Sequence, residues 1–314
     1  MRIAIFGAGA VGSYFGGRLA QAGEDVVFIA RGEHLQAMRD HGLRVDSIEG
    51  NFVLESVEAT DDPAQVGLVD VVFVCVKAWQ IEEAIQAMRP MVGPQTLVIS
   101  LQNGVEAPSQ LAAGLGKEHV LGGLCVIIAY IVAPGHIAHV GADPFIRFGE
   151  LDNSPSERVE KLRQAFDKTS GLTIEIPPDI NVAMWQKFIF INAISGVGAV
   201  ARAPVGAVRS QPGTRQMLVK AICEIYDVAR ARNIDLPENV KDKTMEFIDR
   251  MPPEATVSMQ RDIMNGRPSE LEIQNGAVVR LGKEAGVETP VNSFIYHSLL
   301  PMELLARGQL KFAE

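Results

Sequence analysis

Three glycines near the start of the chain have the spacing that a dinucleotide phosphate requires. They form a G-x-G-x-x-G pattern in the segment Gly7-Ala8-Gly9-Ala10-Val11-Gly12. The first glycine permits a tight turn, the second lets the backbone approach a pyrophosphate, and the third lets a helix pack on a strand. A helix that begins here directs free N–H groups and the positive end of its dipole toward the phosphates. We therefore predict that these six residues bind a dinucleotide cofactor.

Arg31 indicates which dinucleotide the site prefers. It follows the second apolar run, Val26–Ala30, at the place where an NAD site usually carries an acidic residue that holds the ribose 2′-OH. A guanidinium instead suits a phosphate dianion, so the sequence favours NADP(H) over NAD(H). The alternative is that Arg31 is a solvated surface residue and that Glu33 binds the ribose.

Lys77 and Asn103 each follow an apolar run that is typical of a buried strand. The runs are Val69–Val76 and Thr96–Ser100. Ligands of an open α/β sheet bind outside the carboxyl ends of its strands, so both side chains could contact cofactor or substrate. Each also has an ordinary interpretation, since Lys77 could be an exposed lysine and Asn103 belongs to a common Asn-Gly turn pair.

The second half of the chain offers Lys187 beside an apolar segment, Phe188–Ile191. A lysine in this setting suits a sheltered cleft, although a lysine that extends to the surface would give the same pattern. At about 100° per residue, Ile191 and Ser195 lie toward the Lys187 side of a helix, whereas Asn192 points away.

Ser258 and Glu270 belong to a later polar stretch that also contains Asp262 and Arg267. Taken alone, these residues are most simply interpreted as helix caps and surface charge. No metal site is expected, because the H-x-x-H pattern of His136 and His139 would place the two rings on opposite faces of a strand.

The elements that must position these residues alternate between strand and helix in the first part of the chain. The strand candidates are continuous apolar runs, as expected where both faces of a sheet are covered. They include Arg2–Phe6, Val26–Ala30, Val69–Val76 and Thr96–Ser100. This pattern predicts an α/β fold with a Rossmann-type, doubly wound parallel sheet over residues 1–177.

The character of the sequence changes at Pro177-Pro178-Asp179. Beyond this point almost every segment has a helical pattern, so residues 178–314 are predicted to form a separate, all-helical domain. The helices are predicted over 180–200, 214–232, 238–250, 254–264, 269–285 and 290–306.

Length and composition limit the class of protein. The chain has 314 residues, a length that favours two domains over one, and 47% of its residues are hydrophobic, enough to bury a core. Its net charge of −9, without a basic cluster, argues against nucleic acid or an anionic membrane as a partner. Three cysteines without a C-x-x-C pattern fit a reduced compartment, and the longest apolar stretch, Leu124–Ala133, is too short to span a bilayer. We expect a soluble, cytoplasmic protein without a signal peptide.

Taken together and in order, these residues resemble the ketopantoate reductase family (2-dehydropantoate 2-reductase). The resemblance covers nearly the whole chain. It lies in the glycine pattern, Arg31, Val76–Gln80, Gln102-Asn103-Gly104, Trp185-x-Lys187, the run from Ser258 to Glu270, and Asn275-Gly276. It implies a Rossmann NADP-binding domain followed by a substrate-binding domain like the helical one of 6-phosphogluconate dehydrogenase. It also implies NADPH-dependent reduction of 2-dehydropantoate to (R)-pantoate, a step toward pantothenate and coenzyme A.

The resemblance also implies roles for individual residues. Lys187 matches the general acid, and Glu270 matches the acidic residue that bonds the substrate. Ser258 matches the serine near the substrate carboxylate, whereas Asn103 and Lys77 match polar residues that contact cofactor or substrate. By analogy with the family, we expect a homodimer through the helical domain.

One departure from the family concerns the substrate side of the site. Family members carry asparagines four and eight residues after the catalytic lysine, where this chain has Ile191 and Ser195, and Asn192 comes one residue late. Ser195 remains in the predicted substrate-binding set, but the identity of the 2-oxo acid is open. The alternatives are a related 2-oxo acid, hydroxy-acid or opine-type dehydrogenase and a non-catalytic NADP(H) sensor. Retention of the lysine, serine and glutamate argues against the sensor.

Overall fold

The computed structural model describes residues 1–310 and divides into two compact units. Unit 1 consists of Met1–Gln102 and Glu106–Ile180, and unit 2 consists of Asn103–Val105 and the residues from Asn181 onward. The sequence pattern places the change of character near residue 178. The sequence pattern does not predict that Asn103–Val105 belongs to unit 2, because three residues are too few to show a periodicity.

A ten-stranded sheet lies at the centre of unit 1. Its strands are β1 (Arg2–Phe6), β2 (Asp25–Ile29), β3 (Leu43–Ser47), β4 (Phe52–Leu54), β5 (Glu58–Thr60), β6 (Val71–Val74), β7 (Leu97–Ser100), β8 (Val120–Ala133), β9 (His136–Glu150) and β10 (Thr173–Glu175). Six of them pair in parallel in the order β5-β2-β1-β6-β7-β8. The predicted Rossmann-type sheet is confirmed.

Beyond β8 the sheet becomes mixed. The long strands β8 and β9 form an antiparallel pair, β3 and β10 run parallel to β9, and β4 is antiparallel to β3. The sequence predicts strands over 120–139 that extend the sheet. The structure shows that they form one long hairpin, which reaches Glu150.

Helices connect the parallel strands of unit 1. They are α1 (Ala10–Gln21), α2 (Gly32–His41), α3 (Ile81–Met88), α4 (Ala107–Leu115) and α5 (Glu157–Ala165). The sequence pattern does not predict α4, whose apolar residues are mostly small alanines. Ser156 is the N-cap of α5, since its Oγ accepts a hydrogen bond from the Val159 N–H.

The central parallel strands of unit 1, β1, β2, β6 and β7, are buried on both faces. Along β1, Ile3 and Ile5 pack into one hydrophobic cluster, whereas Ala4 and Phe6 pack into another. This explains why the parallel strands have continuous apolar sequences rather than alternating ones. Because β1 pairs in parallel with both β2 and β6, the carboxyl ends of these three strands are neighbours.

Unit 2 is helical and has a hydrophobic core of its own. Its helices are α6 (Ile180–Ala201), α7 (Val205–Ser210), α8 (Pro212–Ala231), α9 (Val240–Arg250), α10 (Ser258–Met264), α11 (Ala277–Ala285) and α12 (Pro290–Ala306). A π-helical turn, Glu272–Gly276, precedes α11, where the sequence pattern suggests continuous helix. The short helix α7 is not predicted. In the part of the chain that the structure describes, no helix is both long and apolar enough to cross a membrane.

Candidate functional site

The glycine turn after β1 has two glycines that the fold requires and one that it does not. Gly7 has φ +102°, and a Cβ on it would lie 2.7 Å from Val76. A Cβ on Gly12 would lie 2.4 Å from the carbonyl oxygen of Gly7. By contrast, a Cβ on Gly9 would meet no atom within 4 Å. The space above the Gly9 backbone is therefore open, which is the geometry that a pyrophosphate needs.

The start of α1 supplies the donors for such a phosphate. Gly7 and Ala8 donate their N–H groups to the Ile29 carbonyl at 3.1 and 2.9 Å, so the turn is tied to the end of β2. The first turn of α1, which contains Ala10 and Val11, carries no acidic residue, and no side chain within residues 1–310 caps it. The residues of the glycine turn therefore fit a dinucleotide phosphate.

Arg31 follows β2 and forms the N-cap of α2 in an extended conformation. Its side chain is 65% exposed, and its Nη2 atom lies 2.9 Å from Oε1 of Glu83 in the first turn of α3. The partner of Arg31 is therefore not the nearby Glu33. Glu83 cannot be recognised from the sequence, since only the strand order brings a residue that follows β6 to one that follows β2.

Lys77 lies at the carboxyl end of β6, directly after the residue that packs against the glycine turn. It is exposed, and its Nζ atom is 5.7 Å from the centre of the Trp79 ring. The Gln102 side chain donates a hydrogen bond to the Val76 carbonyl at 2.8 Å, which joins the ends of β6 and β7. Lys77 thus follows a residue that lies against the glycine turn, and its contact with cofactor stays a prediction.

His34 is a further contact of the glycine turn that the sequence analysis missed. Its Nδ1 atom accepts a hydrogen bond from the Gly135 N–H at 3.1 Å, so the proton of the neutral ring is assigned to Nε2. That Nε2 atom lies 3.4 Å from Ser13 Oγ, and the ring also bonds the Ala8 carbonyl. Burial lowers the pKa of His34 from 6.5, although the bond to Ala8 acts in the opposite direction.

In unit 2, the structure brings Asn103 and Glu270 together across 167 positions of sequence. Asn103 Nδ2 donates a hydrogen bond to Glu270 Oε2 at 2.8 Å. The glutamate is 8% exposed, and Gln274 Nε2 lies 3.4 Å from the same oxygen. Glu270 is thus a largely buried carboxylate whose orientation is set by two amides.

The other predicted residues of unit 2 differ in exposure. Lys187 lies in α6 and Ser258 is the first residue of α10, and both are partly buried. Ser195 is fully buried, as is Asn192 one turn before it. Because no surface of Ser195 reaches solvent in this conformation, its contact with a substrate stays a prediction.

Several buried polar atoms beside the π-helical turn have no hydrogen-bond partner within residues 1–310. They are both side-chain polar atoms of Asn192, Ser195 Oγ, Gln274 Oε1 and Asn275 Oδ1. A Cβ on Gly196 of α6 would lie 2.8 Å from the Asn275 side chain, so α6 packs closely against this turn. Buried polar groups normally have partners, so we expect ordered water here.

Across residues 1–310, no group of three or more His, Cys, Asp and Glu side chains could hold a metal ion. The two histidines of the H-x-x-H pattern have separate partners. His136 Nε2 lies 2.7 Å from Asp46 Oδ2, and His139 Nδ1 lies 2.9 Å from Ser47 Oγ.

A Rossmann-type sheet with an open glycine turn, followed by a helical unit with an oriented carboxylate, defines a nucleotide-dependent enzyme. The family model described as ketopantoate reductase PanE/ApbA matches residues 3–153, and the model of its C-terminal part matches residues 179–303. The chain therefore belongs to the ketopantoate reductase family and is an oxidoreductase of a family that uses pyridine nucleotides. The resemblance found in the sequence is confirmed.

Individual relatives extend over the whole chain. An uncharacterized oxidoreductase, YkpB of Bacillus subtilis, is 30% identical over 95% of this chain and 98% of its own length. The crystal structure of 2-dehydropantoate 2-reductase from Geobacter metallireducens superimposes with a TM-score of 0.89 at 30% identity, over 96% of this chain and 99% of that one. A D-mandelate dehydrogenase in complex with NADH has a TM-score of 0.85 at 25% identity, over 96% and 99% of the two chains.

Proposed function

We propose that this protein reduces 2-dehydropantoate to (R)-pantoate with NADPH. In this proposal unit 1 binds the cofactor and unit 2 binds the substrate. The observation that carries it is the buried Glu270 carboxylate held by Asn103. A carboxylate only accepts hydrogen bonds. It therefore suits a small 2-oxo acid that also bears a hydroxyl group, as 2-dehydropantoate does.

In this proposal the substrate-side residues of unit 2 have separate roles in the reaction. A bound reduced nicotinamide would supply the hydride for the ketone carbon. Lys187 stabilises the negative charge that develops on the ketone oxygen and donates the proton that completes the hydroxyl group. Ser258 donates a hydrogen bond to the substrate carboxylate, and Glu270 accepts one from the substrate hydroxyl.

The preference for NADPH depends on Arg31. Arg31 follows β2, at the same end of the parallel strands as the glycine turn, and its guanidinium is exposed. A charge-assisted contact with the 2′-phosphate is worth about 1.5–3 kcal/mol.

A second candidate is an NADH-dependent 2-hydroxy acid dehydrogenase with a more apolar substrate. Two observations favour it: the similarity to a D-mandelate dehydrogenase that binds NADH, and the apolar, partly buried Ile191 one turn after Lys187. Phenylglyoxylate, the 2-oxo acid that corresponds to mandelate, has no hydroxyl group for Glu270 to bind.

The deciding experiment follows cofactor oxidation with 2-dehydropantoate and with phenylglyoxylate, each with NADPH and NADH. The first proposal expects the highest kcat/KM for 2-dehydropantoate with NADPH. A higher kcat/KM for phenylglyoxylate with NADH would replace it with the second candidate. No turnover of either 2-oxo acid with either cofactor would contradict both candidates.

A further inference from the structure

Arg31, the residue proposed to bind the 2′-phosphate, is already paired with a carboxylate. Its Nη2 atom lies 2.9 Å from Glu83 Oε1, and the two side chains are 65% and 62% exposed. An exposed ion pair of this kind contributes little to the stability of a fold. The Glu83 carboxylate instead bears on which ligands bind here, since it repels an anion and can accept a hydrogen bond from a hydroxyl group.

The position of this pair follows from the strand order. Arg31 follows β2 and Glu83 lies in the helix after β6, and these two strands flank β1. The glycine turn after β1 is bonded to the end of β2 through the Ile29 carbonyl. The pair therefore lies at the edge of the sheet where the adenosine ribose of a dinucleotide is expected.

Other acidic side chains near this edge have different partners or positions. Asp61 Oδ1 lies 3.5 Å from Arg39, and Asp62 caps a short helix by accepting a hydrogen bond from the Ala64 N–H. Within residues 1–310, the carboxylate paired with Arg31 is that of Glu83. Glu83 is therefore the acidic group that a ligand must displace to bind the Arg31 guanidinium at this atom.

We propose that Glu83 sets the cofactor preference of this protein, an inference that rests on the proposed role of Arg31. A 2′-phosphate must displace the carboxylate from the guanidinium and then lies beside its negative charge, which weakens the binding of NADPH. A cofactor without this phosphate presents a 2′-OH that donates a hydrogen bond to Glu83, as it does to the acidic residue of an NAD site. Glu83 thus brings the affinities for NADPH and NADH closer together than Arg31 alone would set them.

The test measures binding by isothermal titration calorimetry in the wild type and in Glu83→Gln. The probes are 2′,5′-ADP, which carries the 2′-phosphate, and 5′-AMP, which has a free 2′-OH. We expect Glu83→Gln to bind 2′,5′-ADP about three- to tenfold more tightly, with a smaller gain at high salt because the charges are exposed. We expect 5′-AMP to bind about two- to fivefold more weakly, since the amide is a poorer acceptor.

Glu82→Gln is the matched control. It removes the same charge from the neighbouring exposed position of α3. We expect it to change the affinity ratio of the two probes by less than about twofold, because a charge without the direct contact is screened. Titrations with NADPH and NADH should follow the same order.

An unchanged affinity ratio in Glu83→Gln overturns the inference. Weaker binding of 2′,5′-ADP overturns it as well, since Glu83 would then support Arg31 rather than compete for it. Arg31→Ala separates this failure from that of the proposed function. If Arg31→Ala weakens 2′,5′-ADP binding while Glu83→Gln leaves the ratio unchanged, only the role of Glu83 is wrong. If neither variant has an effect, the proposed NADPH site at Arg31 is wrong too.

Discussion

The two candidate regions of this protein are built in opposite ways. In unit 1, the glycine turn and Arg31 lie close together in sequence, use mainly backbone groups and one exposed side chain, and are fixed by a single βαβ segment. In unit 2, Glu270 is buried and its partner Asn103 comes from a segment 167 residues away. A region of the first kind can be recognised from its own sequence, whereas one of the second kind needs the folded chain.

The difference predicts how each region responds to substitution. Substitutions in unit 1 should change the affinity for the cofactor, through steric overlap or through a change of charge. Changes in unit 2 should affect turnover and leave cofactor binding intact. The four predictions below test this contrast, beginning with the largest expected effect.

Lys187→Ala should separate turnover from binding. As the proton donor, Lys187 should contribute about 10²- to 10⁴-fold to kcat. NADPH binding should persist, because the glycine turn and Arg31 belong to unit 1. Lys187→Arg keeps the charge but not the ready proton, so it should also be slow. Steady-state kinetics and NADPH titration of both variants provide the measurement. A kcat near that of the wild type in Lys187→Ala would assign the acid role to another group.

Glu270→Gln keeps the shape of the buried carboxylate but removes its charge. We expect a loss of about 10- to 100-fold in kcat/KM for a hydroxyl-bearing 2-oxo acid, since one charged hydrogen bond is weakened. The affinity for NADPH should not change. Glu288→Gln, at an exposed position of the same unit, is the control and should behave as wild type. Equal losses of substrate and cofactor affinity would remove the contrast between the two units.

Gly9→Ala and Gly12→Ala test the open space in the glycine turn. An alanine at Gly12 should destabilise the protein by about 1–3 kcal/mol, because its Cβ overlaps the Gly7 carbonyl. An alanine at Gly9 has room and an allowed φ of −74°, so thermal unfolding should be unchanged while NADPH binding weakens. Calorimetric unfolding and NADPH titration of both variants check this. Unimpaired NADPH binding by Gly9→Ala would show that the phosphate does not approach Gly9.

The smallest expected effect concerns His34 and pH. Burial lowers the pKa of His34 from 6.5. The folded state therefore resists protonation, and the free energy of unfolding should fall as the pH drops from 6.5 toward the lower folded-state pKa. His34→Gln should lose this part of the decrease. Urea unfolding of both proteins at about pH 7.5 and about pH 5.5 measures it. An identical decrease in the two proteins would show that other groups cause it.

The contrast also explains what the sequence could and could not predict. The glycine spacing and the apolar run at Arg2–Phe6 predict the βαβ unit, because turn geometry and burial are local requirements. Glu83 could not be assigned to Arg31, since their contact depends on strand order. The π-helical turn before α11 is also absent from the sequence-based prediction, because five residues are too few to show a period different from that of an α-helix.

The site in unit 2 could be predicted only in part. The resemblance named Asn103 and Glu270 separately, but their contact appears only in the folded chain. Some side-chain atoms of Asn192 and Gln274 have no partner within residues 1–310, and the sequence carries no signature of this, because buried amides are usually satisfied.

The chain passes between the two units at three peptide bonds: Gln102–Asn103, Val105–Glu106 and Ile180–Asn181. A recombinant exchange of the second half between relatives, with its junction near residue 178, would therefore combine Asn103 of one parent with Glu270 of the other. In such a chimera, the donor and the acceptor of the hydrogen bond that orients this carboxylate would come from different parents. Where two parents differ within Asn103–Val105, this segment should therefore be exchanged together with the helices of unit 2 rather than with the sheet.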